Sequence, residues 1–114
     1  MLTARVFRRI ALKMEGAVEG AHMGHPDFRV NGRIFATLSA DNKRGMVKLL
    51  PDQQQEFVQT NPGAFEPSSG AWGLQGSTSV RLDAVDEETL GAAMTLAWQN
   101  EVTRPAAGRP KRKR

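Results

Sequence analysis

Asn31-Gly32, set between two runs of strand-forming residues, constrains this chain more than any other feature. A two-residue type I′ turn requires positive φ at both central positions, and Asn followed by Gly accepts that at little strain. The turn fixes a register in which Val30 faces Arg33, Arg29 faces Ile34 and Phe28 faces Phe35. Directly opposed residues share a face of the sheet, so Phe28 and Phe35 are expected to form an aromatic cross-strand pair. The hairpin says more about fold than about function.

Helical periodicity frames it on both sides. Phe7, Ile10, Ala11 and Met14 recur at i, i+3, i+4 and i+7, with Val6 widening the stripe, so residues 3 to about 14 read as an amphipathic helix. Thr3 is its natural N-cap and Gly16 its stop. Near the other end, Leu90, Ala93, Met94, Ala97 and Trp98 form a second stripe on a helix starting at Asp86, with Glu87 and Glu88 favoured in its first turn by the helix dipole. Between them, Val18–Gly24, Ile34–Leu38, Met46–Leu50 and Ser77–Asp83 read as strands. Ile34–Leu38 is apolar on both parities and belongs in the middle of a sheet. Pro51-Asp52 opens a short helix to about Thr60, with Phe57 and Val58 as its apolar contacts. Asp41–Gly45 is a polar loop, and Ala64–Gly76, rich in Gly, Ser and Pro around Trp72, reads as another.

A chain of 114 residues makes one domain with a core of its own. There are no cysteines, which excludes disulfides and thiolate metal sites. No apolar run approaches the roughly 18 residues that would span a membrane, and the N-terminus lacks a secretory pattern. A cytoplasmic protein is expected.

The net charge of +4 is unevenly placed. Six basic side chains and no acid fall in residues 104–114: Arg104, Arg109, Lys111, Arg112, Lys113 and Arg114. Residues 1–103 hold the other ten bases and all twelve acids, a net of −2. The expected organisation is therefore a folded body over 1–103 and a disordered basic tail over 104–114.

The words Glu19-Gly20, His25-Pro26-Asp27-Phe28-Arg29-Val30, Gly32-Arg33-Ile34-Phe35-Ala36, Trp72-Gly73 and Ala97-Trp98 occur in an order and spacing that resembles the MmcQ/YjbR family of small bacterial proteins. The resemblance spans about residues 5–100. It implies a CyaY-like α+β fold, an antiparallel sheet backed by helices in a double-wing arrangement, and a DNA-binding role. It supplies no catalytic residues. The chain departs from the family at Met14-Glu15, where Leu-Pro is common, and in its basic C-terminal segment.

Candidate sites follow from charge and exposure. Six cations on a flexible tail can each approach a phosphate and release counterions; the plainer alternative is a solubilising tail. Arg5, Arg8, Arg9 and Lys13 form a basic helix face with no acid among them, although an ordinary solvated face would look the same. Arg29, Arg33, Lys43, Arg44, Lys48 and Arg81 lie on strands or hairpin loops, where Asp27, Asp41 and Asp83 are interleaved, so ion pairing is the simpler account of that surface. Trp72 has two readings, an exposed stacking platform or a lid on the core, the second being favoured.

His22 and His25, with Glu19 and Asp27, have the ligand types of a zinc site. On one strand, however, the two imidazoles would point to opposite faces, and Pro26 adds a turn; no metal and no cofactor is expected. No Gly-x-Ser-x-Gly elbow or P-loop is present, so no enzymatic activity is expected. The reading reached from sequence is one α+β domain, four or five antiparallel strands flanked by the first and last helices. Its function would be non-catalytic, largely sequence-nonspecific binding of double-stranded DNA, with RNA as the other polyanion the same cations would hold. The alternative is a protein-interaction or small-ligand module using a groove near Trp72, His22 and His25.

Overall fold

The structure, a computed structural model, describes residues 2–104. The first helix, α1 (Ala4–Leu12), begins where Thr3 Oγ1 accepts the Val6 N–H at 3.3 Å. Its stripe of Phe7, Ile10 and Ala11 is buried. Four strands follow: β1 (Val18–His22), β2 (His25–Val30), β3 (Arg33–Leu38) and β4 (Arg44–Lys48). Then come α2 (Pro51–Thr60), β5 (Phe65–Pro67), α3 (Gly70–Leu74), β6 (Ser77–Arg81) and α4 (Glu87–Val102). The six strands form one antiparallel sheet in the order β1-β2-β3-β4-β6-β5. This is the α+β architecture expected, with β5 added as a short edge strand.

The Asn31-Gly32 turn forms with φ of 54° and 78°, and Val30 faces Arg33 and Arg29 faces Ile34 as expected. The expected Phe28–Phe35 pair does not form. A bulge after Arg29–Ile34 shifts the register, so Phe28 faces Ala36. Phe35 and Ala36 are both fully buried, because a bulge puts two residues of one strand against one of its partner. The ring that meets Phe28 is Phe7 of α1, 6.0 Å between centroids.

A second tight turn has no clear signal in the sequence. Met23 and Gly24 take φ of 51° and 80°, ending the first strand at His22 and setting His22 directly opposite His25. The segment expected as one loop over 64–76 is instead β5 and α3. A buried tie to α2 runs through Gln54, whose Nε2 donates to the carbonyls of Ser77 (2.9 Å) and Gly73 (3.0 Å).

The core lies between the sheet and α1 and α4, with Phe7, Phe28, Phe35, Leu38, Val80, Leu90 and Met94 fully buried. α4 starts where Asp86 accepts the Thr89 N–H at 2.7 Å, as the sequence indicates. Gly45 of β4 lies under Phe7; an ideal Cβ there would stand 2.3 Å from Cε2 of the ring. Phe7 is itself enclosed, so Gly45→Ala is expected to destabilise by about 2 kcal/mol through overpacking, measurable as a lower urea midpoint at unchanged slope. Among the described residues no helix is long and apolar enough to cross a membrane.

Candidate functional site

With α1 and α4 on one face, the other face of β2–β4 is left open, and Arg29, Ile34, Thr37, Met46 and Lys48 on it are half-buried. Alternation along β2 puts Asp27 on this open face beside Arg29. The Asp27 carboxylate is nevertheless fully buried. Arg29 donates from Nε to Oδ1 at 2.8 Å and from Nη2 to Oδ2 at 3.0 Å. His22 Nδ1 lies 2.8 Å from Oδ2. Gly20, opposite Asp27 in register, leaves room for this arrangement; a Cβ there would be 3.0 Å from Oδ1. The Arg29 hydrogen bonds hold the Asp27 carboxyl below its ordinary range, outweighing the opposite push of burial, and His22 adds to the effect.

A second buried carboxylate lies at the end of α4. Glu101 is 3% exposed and is shared by two cations, Arg104 Nη1 at 3.0 Å and Lys48 Nζ at 3.8 Å. Arg33 donates to the carbonyl oxygens of Glu101 (3.3 Å) and Arg104 (3.0 Å). Two cations on one carboxylate leave this cluster with an excess of positive charge. The acids are sealed beneath while the side chains of Arg29, Lys48 and Arg104 remain 38, 36 and 48% exposed. The surface therefore presents cations to solvent.

Both clusters border a groove of about 670 Å³ across the open face, within the range of ligand clefts. Its lining includes His22, Arg29, Ile34, Met46 and, at the far end, Lys48, Arg104 and Trp72. A neighbouring hollow of about 440 Å³ shares Trp72, Lys48, Ser77 and Arg104 with it. Trp72 is not a lid on the core: it is 69% exposed on α3, because Gly73 rather than Trp72 is the residue that helix buries.

The sequence-derived candidates separate into three places. Arg5, Arg8 and Arg9 lie on α1 and Lys13 is its C-cap, on the helical side of the sheet. Their expected freedom from acids fails for two of them: Arg8 pairs with Glu19 (3.0 Å) and Arg9 with Glu87 (2.6 Å), acids distant in sequence. Arg5 and Lys13 make no ion pair among the described residues. Lys43 and Arg44 lie at the β3–β4 connection, Lys43 exposed and Arg44 bound to Glu66 at 3.2 Å. Arg33, His22 and Trp72 line the groove, whereas His25 sits beside His22, 5.9 Å between ring centroids, without lining it. The parity argument that sets the two imidazoles on opposite faces is overturned by the Met23-Gly24 turn. Even so, no group of three or more potential metal ligands occurs among the described residues. Arg109, Lys111, Arg112, Lys113 and Arg114 lie outside the described residues. Arg104, assigned to the tail by sequence, is held in the groove.

Sequence reasoning names Arg29 and Lys48 among the strand cations and Asp27 among the acids between them, but it misses Glu101 and does not bring the four together in one site. Signals for them exist. Asp27 and Arg29 share strand parity, and Glu101 continues the buried stripe of α4 at four and seven residues past Ala97 and Met94.

The family profile of YjbR matches residues 12–100. The chain belongs to the YjbR family. A crystal structure of the Deinococcus radiodurans protein DR2400, described as carrying the domain DUF419, superposes with a TM-score of 0.78 over 97% of this chain and 84% of that one, at 21% identity. At that identity the likeness establishes the fold of this YjbR protein. No curated protein matches the sequence.

Proposed function

We propose that this YjbR protein is a non-catalytic DNA-binding protein, and that its body contacts the polyanion through the open sheet face rather than through α1. The supporting observation is the layered charge of that face, with Asp27 and Glu101 sealed beneath Arg29, Lys48 and Arg104. Buried acids that fix cations in place without shielding them from solvent give positioned phosphate contacts at little conformational cost. The cations of α1 contribute less than their number implies, since Arg8 and Arg9 are paired with acids. The basic residues after Arg104 add a long-range, sequence-independent attraction.

The test is a salt series of binding to labelled DNA by fluorescence anisotropy. With about five phosphates engaged, log K should fall against log salt with a slope of about −4 to −5. Converting Arg109, Lys111, Arg112, Lys113 and Arg114 to Gln should flatten the slope by about 0.9 for each phosphate no longer neutralised. Binding that ignores salt would end the electrostatic reading.

Exposed apolar side chains favour a second reading, a protein-interaction surface. Trp72, Leu74 and Leu50 are 69, 83 and 49% exposed, and such patches mark docking sites. Heparin separates the two, because it displaces DNA from a cationic face and leaves an apolar contact in place.

A further inference from the structure

We infer that the groove takes a single-stranded stretch of nucleic acid, with an unpaired base stacked on Trp72 and the adjoining phosphates on Lys48 and Arg104. This rests on the nucleic-acid reading above and narrows it, since duplex DNA is the form expected from sequence.

Three features carry the inference. Trp72 is an exposed indole on a short helix held by buried contacts of Gln54 and Gly73, so it is presented on a fixed mount. A base inside a duplex has both faces occupied by its neighbours, so away from duplex ends only an unpaired base can lie on an indole. The cations with excess charge, Lys48 and Arg104, line the same two hollows as Trp72. Stacking and phosphate contact thus fall together, as in sequence-tolerant single-strand binders. The two hollows are contiguous through shared residues, which suits a strand passing over Trp72 better than a lone nucleotide in a closed pocket. The floor of the larger one, Ile34 and Met46, offers apolar surface to a second base or to sugar.

The full-length protein is titrated with oligothymidylate, with duplex DNA of equal length, with thymidine monophosphate and with heparin. Affinity is read by anisotropy or competition, and Trp72 by fluorescence. Trp98 is the second tryptophan, half-buried with its Nε1 donating to the Glu15 carbonyl at 2.8 Å, and it serves as an internal reference. Oligothymidylate is expected to quench fluorescence on binding, and the quench should vanish in Trp72→Ala. That substitution should lower the ratio of single-strand to duplex affinity about tenfold, the scale of one stacked base, while Trp72→Phe keeps most of it. An unchanged melting temperature for Trp72→Ala establishes that the fold is intact.

A wild-type protein that binds duplex as tightly as oligothymidylate, with a ratio unmoved by Trp72→Ala, overturns the inference and leaves the DNA-binding reading standing. Equal quenching by heparin, which has no bases, also overturns it. So does thymidine monophosphate competing as well as the oligonucleotide, which would make the groove a nucleotide pocket. Failure to bind any nucleic acid removes the broader reading as well.

Discussion

Gly76→Ala is expected to destabilise the domain by more than about 3 kcal/mol, a large share of the roughly 5–15 kcal/mol that holds a domain together. Two independent strains coincide there. Gly76 has φ of +111°, a conformation that an L side chain rarely adopts. Its ideal Cβ would also lie 1.9 Å from the Leu49 carbonyl oxygen and 2.8 Å from the Leu49 carbonyl carbon, and backbone cannot rotate aside as a side chain can. Relief requires the chain after β4 to move away from the start of β6, breaking the Leu49 N–H bond to the Gly76 carbonyl at 3.2 Å. The same movement disturbs Thr78, whose buried hydroxyl donates to that carbonyl at 2.8 Å. α3 is tied to this corner, since the Gly76 N–H donates to the Gly73 carbonyl at 3.1 Å. Urea unfolding should show a sharply lower midpoint, and whatever folded protein remains should lose single-strand selectivity because Trp72 is no longer held. An unfolding free energy within about 0.5 kcal/mol of wild type would show that the corner yields easily.

Asp27→Ala is expected to cost about 3 kcal/mol at neutral pH, because it removes a buried, charge-assisted network of three hydrogen bonds. Arg29 and His22 are partly exposed and recover water, which keeps the loss below that of orphaning a fully buried cation. The pH dependence has a definite sign. The Asp27 carboxyl titrates lower in the folded protein than its ordinary value of 3.8, chiefly because of the Arg29 hydrogen bonds. A depressed carboxyl stabilises the fold in full above its unfolded value, and that contribution is lost as pH falls through the folded value. The stability gap between wild type and Asp27→Ala should therefore be constant from neutral pH down to about 4–5 and narrow only below that. Chemical denaturation at a series of pH values measures it; a gap that already narrows at about pH 6 would overturn the assignment to the Asp27 carboxyl.

The Asp27 network also sets the electrostatics of the open face. While the carboxylate is ionised, Arg29 is held flat across it by a two-pronged contact and is available to a phosphate only on its exposed side. The Glu101 cluster differs, with two cations sharing one acid and the excess charge beside Trp72. This difference is why the far end of the groove, rather than the His22 end, is the better place for an anion.

The parts of this fold legible in the sequence are those whose determinants are close together along the chain. Thr3 caps α1, Asp86 caps α4, and Asn31-Gly32 forms its turn through interactions spanning two or three residues. The buried stripes of α1 and α4 follow from a period that any neighbouring sheet would enforce. β5 and α3 leave no such trace for a physical reason: three residues ending in Pro67 and five residues containing two glycines are too short to show periodicity or to hold shape alone. Counting from the turn gives Phe35 a partner in Phe28, and only tertiary packing against Phe7 and the bulge decide otherwise. The candidate site belongs almost wholly to tertiary structure. Arg9 meets Glu87 across 78 positions, Arg33 meets the end of α4 across 68, and Asn100 reaches the Lys48 carbonyl across 52. Charge at a distance in sequence carries no local signature, so composition says that cations exist, and only the folded sheet decides which are neutralised and which face the groove.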